Sequence, residues 1–392
     1  MWCITTSIMA FKKNHYSRVQ AILEYTLKSK NLNRPELLIE KRPDVKLENF
    51  DIPKDLSTFF LENFPLCSKI SCDCLFKVVT KNLPLFLKEL WFLKKKYLFS
   101  LSSMIQGGLI GVFLKKLNKI KYLIYDDMDY YPLFYSGLMR SIVENLESTI
   151  LKSADTIFVV SRTLMNLRMK RGIKNLFWLP NGVDNNLFKG AWVRKKSSSI
   201  SKDKVTLIYS GSLNPKIWGA FLLLSVAKKL KKHKKTRVIL LGSSEYKRDI
   251  YAYAKKLGIK DNVLLLGGIP HNNLPKYFAQ ADVGMALGVP GSPAQYADPI
   301  KIKEYMSAGL PVVGTDIGDI KIILKESNSG LAVKYDVDEV ANAVMYIVQS
   351  PNLYRELSFN ARQYATKYFD WKFILNNLFK TIHQQLQEFE FT

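Results

Sequence analysis

A lysine and a glutamate three residues apart, Lys301 and Glu304, lie in the stretch Asp298–Thr315, DPIKIKEYMSAGLPVVGT. Residues three apart on a helix share a face, so this ammonium and carboxylate can address one ligand. A cation beside a helix N-terminus suits phosphate, and a carboxylate accepts hydrogen bonds from sugar hydroxyls. The pair therefore suits a nucleoside diphosphate, with Lys301 on the diphosphate and Glu304 on the ribose. Read alone, the same pair is equally an ion pair on an amphipathic helix. The neighbours supply the frame. Pro299 suits a first helical turn, where its missing N–H costs nothing. Gly309 suits the left-handed residue that stops a helix. Pro311–Val313 then start a short buried strand.

Such a helix and strand need a sheet to hold them. In the second half, apolar runs at 205–209, 237–241, 263–266, 282–286 and 330–333 read as strands. They alternate with helical patterns at 220–230, 245–257 and 274–280, and helices at 337–348, 353–367 and 371–389 close the chain. The first half reads likewise, with strands at 4–9, 37–39, 97–101, 121–125 and 156–160 and helices at 19–27, 85–96, 108–117 and 163–170. Strands alternating with helices predict parallel sheets with crossover helices. Two such series predict an α/β chain of two doubly wound, Rossmann-like domains, residues 1–185 and 186–368. A last helix, 369–392, is expected to pack back towards the first domain. Lys195–Lys204, KKSSSISKDK, reads as an exposed linker or loop. Ligands of doubly wound sheets bind at the carboxyl ends of the strands, and a cleft between two domains is the natural place for them.

Composition narrows the partners. At 392 residues the chain is too long for one typical core, and 47% hydrophobic content is too apolar for a disordered one. The 58 Lys and Arg exceed the 34 Asp and Glu, a net +24 that suits an anionic partner such as a phosphorylated substrate or a membrane surface. No aromatic-interleaved RNA motif accompanies the charge, so nucleic acid is not expected. Cys3, Cys67, Cys72 and Cys74 lack paired zinc spacing, so no metal is expected and a reduced compartment is the simplest reading. The N-terminus, MWCITTSIMAFKK, has no basic region ahead of a long apolar core, so a secretory signal is not expected. The longest uncharged run, Tyr97–Leu114, is interrupted by Ser, Gln and Gly and reads as strand, loop and buried helix rather than a span. Leu85–Lys96, LFLKELWFLKKK, reads as a core helix whose basic end could also rest on an anionic membrane.

Several segments, taken in order, resemble one family. Pro180–Asp184 (PNGVD) followed by Phe188 resembles the interdomain segment of retaining GT-B nucleotide-sugar glycosyltransferases, the group 1, family-four-like class. Asp298–Thr315 resembles that family's donor motif, P-x-K-x-x-E-Y-M-x-x-G-x-P-V-V. Ser153–Ser161, Tyr209–Leu213, Ala279–Leu287 and Asn360–Trp371 give supporting matches. The resemblance implies a GT-B fold and a hexosyltransferase. The enzyme would move sugar from a nucleotide-sugar donor to a hydroxyl of a glycan or lipid-linked acceptor, with retention and without cofactor or metal. A cytoplasmic location is expected, with the chain peripheral on an anionic membrane face. It also implies that Lys301 meets the diphosphate, Glu304 the ribose, and the backbone after Gly211 the pyrophosphate. Lys216 would add charge, and Ser212, Gly242, Pro299 and Tyr305 would complete the donor site.

The departures matter too. Tyr296 stands where the family often has a first Glu, Ser212 where it commonly has Arg, and Met128 where a His is frequent. Asp127 or Asp129, flanking Met128, would then take the acceptor's proton. Asp127-Met128-Asp129 also mimics the metal motif of the other glycosyltransferase fold. The loop Ala10–Ser17, AFKKNHYS, replaces a Gly-rich one, and its His15 is a further catalytic candidate beside Lys12, Lys13 and Arg18. These departures motivate a second expectation, a non-catalytic GT-B-like nucleotide-sugar-binding or scaffold protein.

Overall fold

The computed structural model describes residues 2–7, 18, 21, 22, 25, 36–40, 58–61, 96–197, 203–242 and 245–390. The chain divides into two compact units, Met1–Leu179 with Leu375–Thr392, and Pro180–Ile374.

In the first unit, strands β1 (Trp2–Ser7), β2 (Glu36–Glu40), β3 (Thr58–Leu61), β4 (Tyr97–Ser103), β5 (Ile120–Asp127), β6 (Thr156–Val159) and β7 (Leu176–Trp178) form one parallel sheet. Its order is β3-β2-β1-β4-β5-β6-β7. Helix α1 (Met104–Lys116) packs on β1, β4 and β5, and α2 (Gly137–Ser153) and α3 (Arg162–Lys170) follow β5 and β6. Tyr97–Leu114 is β4 running directly into α1. Among the described residues no helix is long and apolar enough to cross a membrane. Met104, at that junction, adopts φ +62°, an uncommon value for a residue other than glycine.

The second unit carries α4 (Lys189–Ser197), β8 (Lys204–Ser210), α5 (Ala220–Leu230), β9 (Lys235–Leu241), α6 (Lys247–Lys256), β10 (Val263–Gly267), α7 (Leu274–Phe278), β11 (Val283–Ala286), α8 (Ile300–Ser307), β12 (Val312–Thr315), α9 (Gly318–Ser327), β13 (Gly330–Val333), α10 (Val337–Gln349) and α11 (Pro351–Tyr368). Its parallel sheet runs β10-β9-β8-β11-β12-β13. Every residue of β8 after Lys204 is buried, the continuous apolar pattern of a strand covered on both faces. In both sheets the strand order reverses beside the first strand, at β1/β4 and at β8/β11. Such a switch point opens a crevice at the carboxyl ends of the strands.

Pro180–Asp184 belongs to the second unit rather than to the end of the first. Val183 N–H donates to Phe369 O at 2.7 Å, and Gly182 lies under the Trp371 ring. The last helix, α12 (Trp371–Glu390), starts in the second unit. From Leu375 onward it belongs to the first, where Tyr25 stacks on Phe379 at 5.6 Å and Tyr122 meets Phe389 edge-on at 5.1 Å.

Two expectations change. The strands expected from apolar runs pass over 58–61, where β3 lies. Lys195, read as part of an exposed linker, lies in α4 and is buried, its Nζ donating to Ala281 O beside Asp282. The helix 85–96 lies outside the described residues apart from Lys96, and Cys67, Cys72 and Cys74 lie outside them altogether.

Candidate functional site

The crevice beside β8 is built from backbone first. Gly211 follows the last residue of β8 and Gly242 that of β9, with φ +117° and +153°. A Cβ on Gly242 would stand 1.8 Å from Gly211 O, so only glycine lets the two loops approach. A Cβ on Gly211 would stand 3.1 Å from Lys301 Cε, so the missing side chain keeps the lysine's surroundings open. Lys301 Nζ donates to Tyr209 OH at 2.8 Å and lies 3.3 Å from the Trp218 ring centroid and 4.4 Å from that of Tyr209. The side chain is 8% exposed. Burial pulls its ammonium well below the usual lysine range, and Glu304 offsets this only in part. A diphosphate brought to Nζ would restore that charge.

The helix carrying Lys301 and Glu304 is fixed at both ends. Pro299 is its N-cap residue rather than its first helical residue. At the other end Gly309, φ +70°, donates to Met306 O and Leu310 donates to Tyr305 O, a pair of bonds that ends a helix in a left-handed turn. Lys303, two residues from Lys301, turns the opposite way and is fully buried. It pairs with Asp298 and donates to Asn181 O at 2.7 Å, while Asn181 N–H donates to Asp298 Oδ2 at 2.6 Å. This network ties Pro180–Asp184 to the start of α8. One lysine of IKIKE is therefore architectural and the other faces the crevice.

Glu304 is 6% exposed, and its Oε1 lies 2.8 Å from His271 Nε2. His271 opens a 3-10 turn just after β10. Burial pulls its pKa down, but the bond to Glu304 and the charges of Glu304 and Asp184 outweigh it, leaving the pKa raised. Nothing in the sequence reading pointed to His271. The available signal was a lone histidine in a loop after a strand of a doubly wound sheet, where ligands are met.

The remaining donor-site expectations divide. Ser212 and Lys216 are exposed on the loop after β8, where Tyr209 OH donates to Ser212 O at 2.5 Å and Lys216 N–H to Asn214 Oδ1 at 3.0 Å. Tyr305 does not fit as a ligand contact. It is fully buried, and its OH accepts from Ser210 N–H at 2.7 Å, bracing the end of β8 from behind. Tyr296, at the place of the family's first Glu, is half-buried.

In the first unit the two aspartates have opposite fates. Asp127 does not fit as a proton acceptor. It is fully buried at the end of β5, and Arg168 donates Nε–H to Oδ2 at 2.8 Å and Nη2–H to Oδ1 at 3.2 Å. The same guanidinium donates to Glu147 Oε2 at 2.7 Å, so both Asp127 oxygens are engaged in a buried ion cluster. Asp126 next to it pairs with Arg18 at 2.9 Å and is pushed up to about 6, chiefly by burial. Asp129, half-buried on the loop, is pushed up to about 7 by burial and by Asp127. That places Asp129 near the pKa a general base needs at neutral pH. His15, with Lys12 and Lys13, lies outside the described residues.

Residues 191–364 match the family described as glycosyl transferases group 1. A GDP-mannose-dependent alpha-(1-6)-phosphatidylinositol monomannoside mannosyltransferase from Mycolicibacterium smegmatis is 24% identical over 206 residues, 50% of this chain and 52% of that protein. The chain spans about half the length of the curated relatives it matches. Among solved structures, sucrose-phosphate synthase from Thermosynechococcus elongatus superposes with a TM-score of 0.77 at 19% identity, covering 99% of this chain and all of that one. Anabaena HepE, solved with UDP and glucose, gives 0.72 at 16% identity over 98% of this chain and all of its own. The chain thus has the α/β GT-B fold, and within it residues 191–364 are similar to the glycosyl transferases group 1 family.

Proposed function

We propose that the chain is a glycosyltransferase of the hexosyl type. The second unit takes a nucleotide-sugar donor, and the sugar passes with retention to a hydroxyl of a lipid-linked or cell-envelope glycan. The observation that carries this reading is that Lys301 lies against the side-chain-free turn at Gly211, which itself abuts that at Gly242, with Glu304 on the same helix. In the proposed complex Lys301 and the exposed Lys216 meet the diphosphate, and Glu304 accepts from the ribose hydroxyls. The leaving diphosphate's growing charge is met by a fixed cation in a partly dry crevice, where such an interaction counts for more than in water. The route needs no bound metal. Asp129 takes the acceptor proton, and no side chain serves as a covalent nucleophile. A lipid-linked acceptor is supported by the phosphatidylinositol mannoside named for one relative. The net +24 suits an anionic, cytoplasmic membrane face.

Donor identity is read by titrating UDP-, GDP- and ADP-sugars into the intact chain and following sugar transfer or release. Replacing Glu304 by Ala removes hydrogen bonds to a charged group, worth about 1.5–3 kcal/mol. Donor affinity should therefore fall about tenfold to a hundredfold. Wild-type affinity and turnover in Glu304→Ala would overturn the assignment. Donor binding without turnover on any acceptor would instead indicate a non-catalytic binding protein.

A further inference from the structure

Glu304 needs a partner that the helix itself does not provide. Its carboxylate is nearly buried, and its one described side-chain hydrogen bond runs from Oε1 to His271. A glutamate side chain has three free torsions, and ordering it costs conformational entropy. A carboxylate beside a bound diphosphate also brings two negative charges together. His271 answers both difficulties. It is held on a separate element, the turn after β10, with Phe188 edge-on to its ring at 6.2 Å.

We propose that His271 is the positioning residue for Glu304. Its Nε2–H holds Oε1 so that Oε2 is presented to the ribose hydroxyls, and the imidazolium offsets the carboxylate's charge beside the diphosphate. This rests on reading the crevice as a nucleotide-sugar site. Among the described residues, Glu304 on α8 and Asp184 in the turn before α4 both favour the imidazolium. The sign follows. The raised pKa means that folding and donor binding both gain from the charged form at low pH. That gain is lost as pH rises through the raised value, above the ordinary histidine range of about 6.5.

The test titrates uridine, guanosine and adenosine diphosphates calorimetrically into the intact chain at pH 6.0 and 8.5. The nucleotide's own terminal phosphate titrates nearby, so the reading is the difference between wild type and variants. His271→Ala should bind about tenfold more weakly at pH 6.0. His271→Gln keeps an N–H donor without the charge. It should match wild type at pH 8.5 and fall below it at pH 6.0. In the Glu304→Ala background, His271→Ala should cause no further loss. His271 variants that bind like wild type at both pH values, or whose loss adds in full to that of Glu304→Ala, overturn the proposal. If Glu304→Ala itself binds like wild type, the nucleotide-sugar reading falls first. If Glu304→Ala is weak and the His271 variants are not, only the positioning role falls.

Discussion

Two pairs of neighbouring residues, Lys301 with Lys303 and Asp127 with Asp129, show how little residue type alone decides. In each pair one member is consumed by the protein and the other is left at a crevice or loop. Lys303 is spent on Asp298 and Asn181, and Asp127 on Arg168. Removing one partner of such a buried pair strands the other charge, which is why these members cannot double as ligands for a substrate. Among the described residues no cation lowers the pKa of Asp129, and burial lifts it to about 7. An unfolded aspartate ionises near 3.9. Between those values the folded chain holds a proton that the unfolded chain releases, so Asp129 makes stability fall as pH rises from about 4 to 7. Asp129→Asn should therefore narrow the drop in melting temperature between pH 5 and pH 8. Equal drops in both proteins would show that Asp129 does not titrate as described. If Asp129 also takes the acceptor proton, the same variant loses the rise in transfer rate through pH 7.

At the scale of elements, turns decide where functional groups point, and glycines at turns differ in what they tolerate. Gly309 and Gly267 have nearly the same left-handed φ, +70° and +74°. A Cβ on Gly309 would lie 2.2 Å from the Trp192 ring, whereas one on Gly267 would meet nothing within 4 Å. Gly267→Ala should cost only the backbone strain, about 1–2 kcal/mol. Gly309→Ala adds displacement of a packed ring, about 1–3 kcal/mol more. Urea unfolding of the two variants tests this, and equal midpoints would contradict it. Much of this layer was legible beforehand. The helix at 220–230 read true because a long, largely buried apolar run bounded by polar residues has few alternatives. The Gly309 stop was legible because a left-handed turn restricts residue type. Other features were not. β3 has four residues, too few to show a period, and α9 begins at Gly318 without a side-chain cap. The burial of Lys195 was hidden because a lysine's aliphatic stem can enter a core while its composition reads as solvent-exposed. The His271–Glu304 pair joins residues 33 apart. No local pattern records such a meeting, which depends on the order of strands in the sheet.

For the whole molecule, the consequential feature is that the chain does not end where its second unit ends. From Leu375 onward α12 belongs to the first unit, with Leu375, Leu378 and Ile382 buried and Phe379 and Phe389 against Tyr25 and Tyr122. Burying one such aliphatic side chain contributes about 1.5–3 kcal/mol, and a domain's whole stability is about 5–15 kcal/mol. Three aliphatic and two aromatic side chains are thus comparable to the first unit's entire margin. The second unit retains Trp371 over Gly182 without them. A chain truncated after Ile374 should therefore lose the first unit selectively. Hydrogen exchange followed by mass spectrometry should show β4, β5 and β6 losing protection while β8, β9 and β12 keep theirs, and donor nucleotide should still bind the second unit. Transfer to an acceptor should vanish with the first unit. Equal loss of protection in both units would mean that they fold as one, and retained protection in β4–β6 would mean that α12 contributes little. Either result would refute a helix that begins in one unit and completes the core of the other.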